Sequence, residues 1–269
     1  VLRKPDSALI VIGHGSTVNP DSGAPTRAHA DAIRKRGIFA EVHAAFWKEE
    51  PRLRSVLDAV ESEDIYLAPN FISEGYFTRQ AIPRALQLEG PLTRQIVHRG
   101  NEPRTRTIRY CEPVGNHPRM TEVLLRRAQE IAPGVSPRSC SLIVVGHGTG
   151  RDANSAEAVR RQVRKIAETA GYGEVLAVYM EEPPFVKDWV TLATRPNVVV
   201  VPFLIADGMH TVRDIPAMLG LPSGRIIDNP HRLHGRNVYY SGALGTDPLL
   251  AEIILDQVAA FDAAVSETP

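Results

Sequence analysis

The sequence predicts an α/β protein made of two similar domains, each a parallel sheet flanked by helices and related by internal duplication. Three observations predict it. The stretch LIVIGHGST at residues 9–17 returns as LIVVGHGTG at residues 142–150. Sliding the chain against itself by 133 residues aligns further positions without a gap: Glu41-Val42 with Glu174-Val175, Pro69 with Pro202, Gly75 with Gly208, Thr78 with Thr211, and Ile82-Pro83 with Ile215-Pro216. Short apolar runs also alternate with stretches of helical periodicity throughout, the pattern of a sheet covered on both faces with right-handed crossovers.

Taken in chain order, the first half carries strand-like runs at residues 8–12, 42–46, 65–71 and 108–110. They read as near-continuous apolar runs, as expected of strands buried on both faces. The second half repeats them at 142–145, 175–180, 198–205 and 238–240, with helices predicted at 155–170, 184–193, 212–219 and 247–261. After the third strand the offset slips to 130, where EPVGNHP (112–118) meets GALGTDP (242–248). Two prolines, a glycine and two serines in APGVSPRS (132–139) place the expected boundary between domains 1–133 and 134–269.

Composition narrows the function classes. With 31 basic and 31 acidic residues the formal charge is zero, which argues against a nucleic-acid partner. No apolar run approaches the roughly 18–20 residues of a membrane helix. The opening stretch is broken by Gly-His-Gly and has no small-residue cleavage site, so it reads as a first strand and the protein as cytoplasmic. Cys111 and Cys140 form neither a metal motif nor a disulfide framework and read as buried small hydrophobes. No Gly-x-x-x-x-Gly-Lys loop is present, so no ATP or other nucleotide is expected. An internally duplicated chain can be complete as a monomer; a homodimer is the other expectation.

Ligands of open parallel sheets bind at the carboxyl ends of the strands. His14 and His147 sit at such ends, between glycines that allow a sharp turn and close approach. The plainer alternative is a glycine-rich turn with an incidental histidine. In the second half Glu181 follows the second strand and His210 the third, so three strand ends present His147, Glu181 and His210 toward one rim. Two imidazoles and a carboxylate suit a divalent first-row metal and can also accept protons near neutral pH. Alternatively, Glu181 is a solvated charge and His210 an ordinary helix-start residue. In the first half Lys48 stands where Glu181 would be and Phe77 where His210 would be, so only the second half keeps the set.

These residues make the chain resemble the class II, ATP-independent chelatases of the CbiX/SirB type. The resemblance rests on the apolar strand ending in Gly-His-Gly-(Ser/Thr), the aromatic-x-Glu before proline, PFLIADGMHTVRDIP at 202–216, and Leu244-Gly245 before Pro248; it spans both halves. It implies two chelatase-like domains facing each other across a cleft, and insertion of Co2+ or Fe2+, as substrate, into sirohydrochlorin for cobalamin or sirohaem. Carried over by position, the metal-handling and catalytic residues are His147, Glu181 and His210. A multiply carboxylated macrocycle calls for cations near the rim, with Arg151, Arg213 and Arg79 as candidates. Phe77 and His14 are candidates for contact from the first half. Arginine is also common at exposed helix starts, and Trp47 reads as core.

Two rival functions remain. A histidine phosphatase also uses a strand-end histidine, but its arginine immediately before that histidine is here Gly13 or Gly146. A non-catalytic metal or tetrapyrrole carrier or sensor is the alternative from another class. His231 and His234, between Pro230 and Gly235, read as a surface pair on a loop.

Overall fold

Residues 2–100, 102–148, 153–224 and 228–266 are described in a computed structural model. The first repeat runs β1 (Lys4–Gly13), α1 (Ala24–Arg34), β2 (Phe39–Phe46), α2 (Leu53–Ala59), β3 (Asp64–Pro69), α3 (Ile82–Leu86), β4 (Leu92–Arg99), β5 (Glu102–Tyr110) and α4 (Met120–Ile131). The second runs β6 (Cys140–Gly146), α5 (Ala153–Thr169), β7 (Glu174–Tyr179), α6 (Trp189–Leu192), β8 (Asn197–Pro202), α7 (Ile215–Leu219), β9 (His231–Leu233), β10 (Arg236–Tyr240) and α8 (Leu249–Ser266). Among the described residues each sheet has five strands, in the orders β2-β1-β3-β5-β4 and β7-β6-β8-β10-β9.

The duplication reaches the level of register. Gly13 of β1 pairs with Phe46 of β2, and 133 residues later Gly146 of β6 pairs with Tyr179 of β7. In both sheets the first strand lies between the second and third, so the chain leaves it to one side and later returns on the other. The end of β1 and the end of β6 are therefore topological switch points, where loops diverge and open a crevice. The Gly-His-Gly segments occupy those two points.

Each parallel sheet carries one further strand that runs the other way. Four strands of each sheet are parallel, but β4 runs antiparallel to β5 and β9 antiparallel to β10. These are edge strands returned by hairpins. In the second, His234 (φ 46°) and Gly235 (φ 76°) supply the two left-handed residues that a tight hairpin requires. His231 thus lies on a strand and His234 in a turn, its ring 5.8 Å from Trp189, rather than both on a loop. The helix expected at 184–193 is shorter, a 3-10 turn at Val186–Asp188 running into α6.

The described chain divides into two compact units, 1–117 with 248–269, and 118–247. The division differs from the expected boundary at 133/134 because of where the last helix of each repeat is buried. Helix α4 turns Met120, Val123, Leu124 and Ala128 inward and packs against β8 and α5, with Thr121 donating to Gln162 at 2.6 Å. Helix α8 packs against α1 and β3; its Gln257 donates to the Pro113 carbonyl at 2.9 Å, and its Asp262 accepts from Tyr66 at 2.7 Å. One core is built on Ile10, Ile12, Ile65 and Leu67, the other on Ile143, Val145, Val198 and Val200. Both cysteines are buried free thiols. No helix among the described residues is long and apolar enough to cross a membrane.

Candidate metal centre

In the second unit two of the three predicted residues, His147 and Glu181, are tied by backbone hydrogen bonds before any side chain takes part. The carbonyl of His147 accepts from the amides of Met180 (3.1 Å) and Glu181 (3.2 Å), which ties the end of β6 to the end of β7. Gly148, at φ +67°, turns the chain away; a Cβ there would lie 2.7 Å from Tyr179 Cβ and 2.8 Å from Glu182 Cγ. Glu182 in turn faces Arg160 at 3.8 Å, whose guanidinium lies over the Tyr179 ring. The first unit repeats this support in Arg27, Glu49 and Phe46, with Glu49 also accepting from the Ser16 amide at 2.9 Å. Neither trio was singled out by sequence reasoning, although both lie at the constant offset.

His210 opens a π-helical turn, His210–Asp214, that runs into α7. The turn is clamped at its start by Thr211, whose hydroxyl accepts from the Gly208 amide at 2.9 Å, and at its flank by Tyr240, whose hydroxyl donates to the Thr211 carbonyl at 2.7 Å. Burial pushes the Tyr240 phenol up, so it stays a donor. The clamp recurs in the first unit as Thr78 on Gly75 and Tyr110 on the Thr78 carbonyl.

The result is a pair of imidazoles with ring centroids 4.9 Å apart at 82°, and Glu181 Oε1 3.8 Å from His147 Nε2. The side chains of His147 and His210 are 31% and 46% exposed, so an aquated ion can reach them. Ligands about 2.0–2.2 Å from one ion stand roughly 3–4 Å apart, and the His147–Glu181 separation matches that. Each histidine uses Nδ1 elsewhere: His147 toward the Gly148 carbonyl at 3.4 Å, His210 toward Asp214 Oδ2 at 2.9 Å. A ring that donates from Nδ1 keeps the Nε2 lone pair for a metal. Asp214 also accepts from Arg213 Nε at 2.9 Å; Arg213 and His210 together hold its carboxyl below the usual range. Among the described residues, no three His, Cys, Asp or Glu side chains close into a metal-holding cluster.

The corresponding place in the first unit is aromatic. His14 meets Phe77 edge-on at 4.7 Å and Phe71 at 6.5 Å, and Trp47 lies 5.9 Å from Phe77. Burial, with the Lys48 charge added, holds the His14 imidazole below its ordinary value, and its Nδ1 bonds the Gly15 carbonyl at 2.9 Å. Arg79 pairs with Glu74, and Trp47 packs on the core as expected. Arg151 lies outside the described residues.

The CbiX family profile matches residues 8–131 and 141–260, so both repeats fit it. The chain belongs to the CbiX/SirB family of sirohydrochlorin chelatases. Among similar proteins, a probable sirohydrochlorin cobaltochelatase of Halobacterium salinarum is 42% identical, over 97% of this chain and 93% of that one. A sirohydrochlorin cobaltochelatase of Methanopyrus kandleri is 33% identical over 135 residues, which span 94% of it but 44% of this chain. That relative is about as long as one repeat. Among solved structures, a multi-domain protein of Deinococcus radiodurans with structural similarity to chelatases has a TM-score of 0.75 at 28% identity. The match covers 94% of this chain and 54% of that one, which carries two additional domains. SirB of Bacillus subtilis, solved with Fe3+, shares the fold at a TM-score of 0.73 and 18% identity, with 98% of each chain covered.

Proposed function

We propose that this chain inserts a divalent metal ion, Co2+ or Fe2+, into a sirohydrochlorin-type tetrapyrrole without nucleotide hydrolysis. The observation that carries the proposal is the facing pair of imidazoles with Glu181 beside one of them, in a CbiX chain that is 42% identical to a probable cobaltochelatase over nearly its full length. Insertion exchanges one M2+ for the two pyrrole N–H protons of the free macrocycle, so the site must deliver a cation and remove two protons. His147 and His210 take the ion through Nε2 and let its waters be replaced one at a time. Glu181, exposed and within 3.8 Å of His147, accepts a proton as the ring nitrogens are metallated and passes it to solvent.

Substrate contacts are proposed for Arg151 and Arg213, as partners of the ring's carboxylates, and for Arg79, Phe77 and His14 in the first unit. Arg79 and Arg213 are already paired with Glu74 and Asp214, so a substrate carboxylate takes over part of an existing fork rather than meeting a bare cation. Phe77 offers an aromatic edge suited to a flat macrocycle.

The test is anaerobic insertion into sirohydrochlorin followed by absorbance, with Co2+ and Fe2+ separately. Multiple turnovers are expected, and His147→Ala or His210→Ala should lower the rate by more than the roughly 10–100-fold typical of outer-shell losses. Uptake of one equivalent without release of metallated product would instead make the chain a carrier or sensor.

A further inference from the structure

The strongest unassigned group near the site is Asp214, and we infer that it is a positioning residue for metal transfer, acting through His210. The inference rests on the functional reading above and deepens it. His210 and Asp214 are the first and last residues of the π turn, and their i, i+4 spacing puts the carboxylate 2.9 Å from the imidazole Nδ1. That bond fixes the ring's rotation and places its proton on Nδ1, which leaves the Nε2 lone pair for a metal.

Two plainer roles for Asp214 do not account for it. It stands at the N-cap position of α7, yet its side chain makes no capping bond. Its other partner, Arg213, has a side chain 57% exposed, and a pair open to water in that way contributes little to stability. The duplication supplies an independent observation. The first unit keeps the same π turn, at Phe77–Ala81, with its Thr78 and Tyr110 clamps, but Phe77 replaces the histidine and Ala81 replaces the aspartate. The scaffold is present in both units, whereas the carboxylate occurs only where there is a histidine to hold.

The experiment measures Co2+ affinity by visible absorption, together with the His210 tautomer from long-range 1H–15N spectra of the metal-free protein. The wild-type chain should show the Nδ1–H tautomer. Asp214→Ala should weaken Co2+ by about 10–100-fold, and Asp214→Asn, whose amide oxygen can still accept from Nδ1, by less than about 10-fold. In a His210→Ala background Asp214→Ala should produce no further loss, because a residue acting through His210 has nothing left to position. An unchanged affinity in Asp214→Ala, or an equal loss with and without His210, would overturn the assignment. A wild-type chain that neither binds nor inserts Co2+ would overturn the metal-site reading, and Asp214's role with it, and differs visibly from either of those results.

Discussion

Gly148 shows how narrow the tolerances are at the scale of single residues. Its φ of +67° is a conformation that side chains with a Cβ rarely adopt, and the space a Cβ would need is held by Tyr179 and Glu182. Gly148→Ala should cost about 1–3 kcal/mol in urea unfolding. It should reduce insertion further by displacing His147, whose carbonyl anchors Glu181. Nearer the opposite end of the strands, Glu41 accepts from the Ser62 amide and hydroxyl, His43 and the Glu61 amide. Burial alone would raise its pKa, but those bonds outweigh it and the folded value lies below the ordinary 4.5. Its contribution to stability is therefore present above that ordinary value and is lost as pH falls through the folded one. Glu41→Gln should flatten the acid limb of a denaturation series and leave the neutral limb parallel to wild type. At this scale His147, Glu181 and His210 could be named as candidates because each follows the end of an apolar strand. Asp214 was not singled out, although it stands at the ordinary i, i+4 neighbour spacing of a helix, because the apolar period that marks a helix does not say which polar pairs bond.

The π turn before α7 is the element on which the centre depends. Tyr240, buried at 2% exposure on β10, reaches across to the Thr211 carbonyl. Tyr240→Phe leaves that carbonyl without its partner and should destabilise the second unit by about 1–3 kcal/mol. The loss of insertion should exceed what the unfolded fraction explains, since His210 precedes Thr211 directly. The buried parallel strands were legible to within a few residues, as runs of Val, Ile and Leu have few other places to go. The edge strands were not. LTRQIVHR at 92–99 mixes charge with apolar residues; its inner face carries Thr93 and Gln95 beside Val97, while Ile96 on the other face is 74% exposed, so no apolar alternation marks it as a strand. The compact units divide away from the junction of the repeats for a different reason. The prolines and glycine of 132–139 do mark a turn, but which sheet receives α4 is decided by packing, and an amphipathic helix carries no address in its own period.

Across the whole molecule the two repeats carry different side chains at corresponding places. One repeat carries the facing histidines; the other holds aromatic rings and a lysine on the same scaffold. The chain should therefore take up one Co2+ tightly. Installing Lys48→Glu, Phe77→His and Ala81→Asp together should raise the stoichiometry to two by calorimetry, while the variant without Ala81→Asp binds the second ion about 10–100-fold more weakly. The exchange of last helices sets the timetable of synthesis as well. Residues 118–247 form one uninterrupted unit, whereas the unit begun by the first residues is finished only by 248–269. As the chain leaves the ribosome, the earlier sheet must wait with the apolar surface meant for Ile253, Ile254 and Val258 uncovered, while the later one can close first. The domain that starts first is the last to be completed.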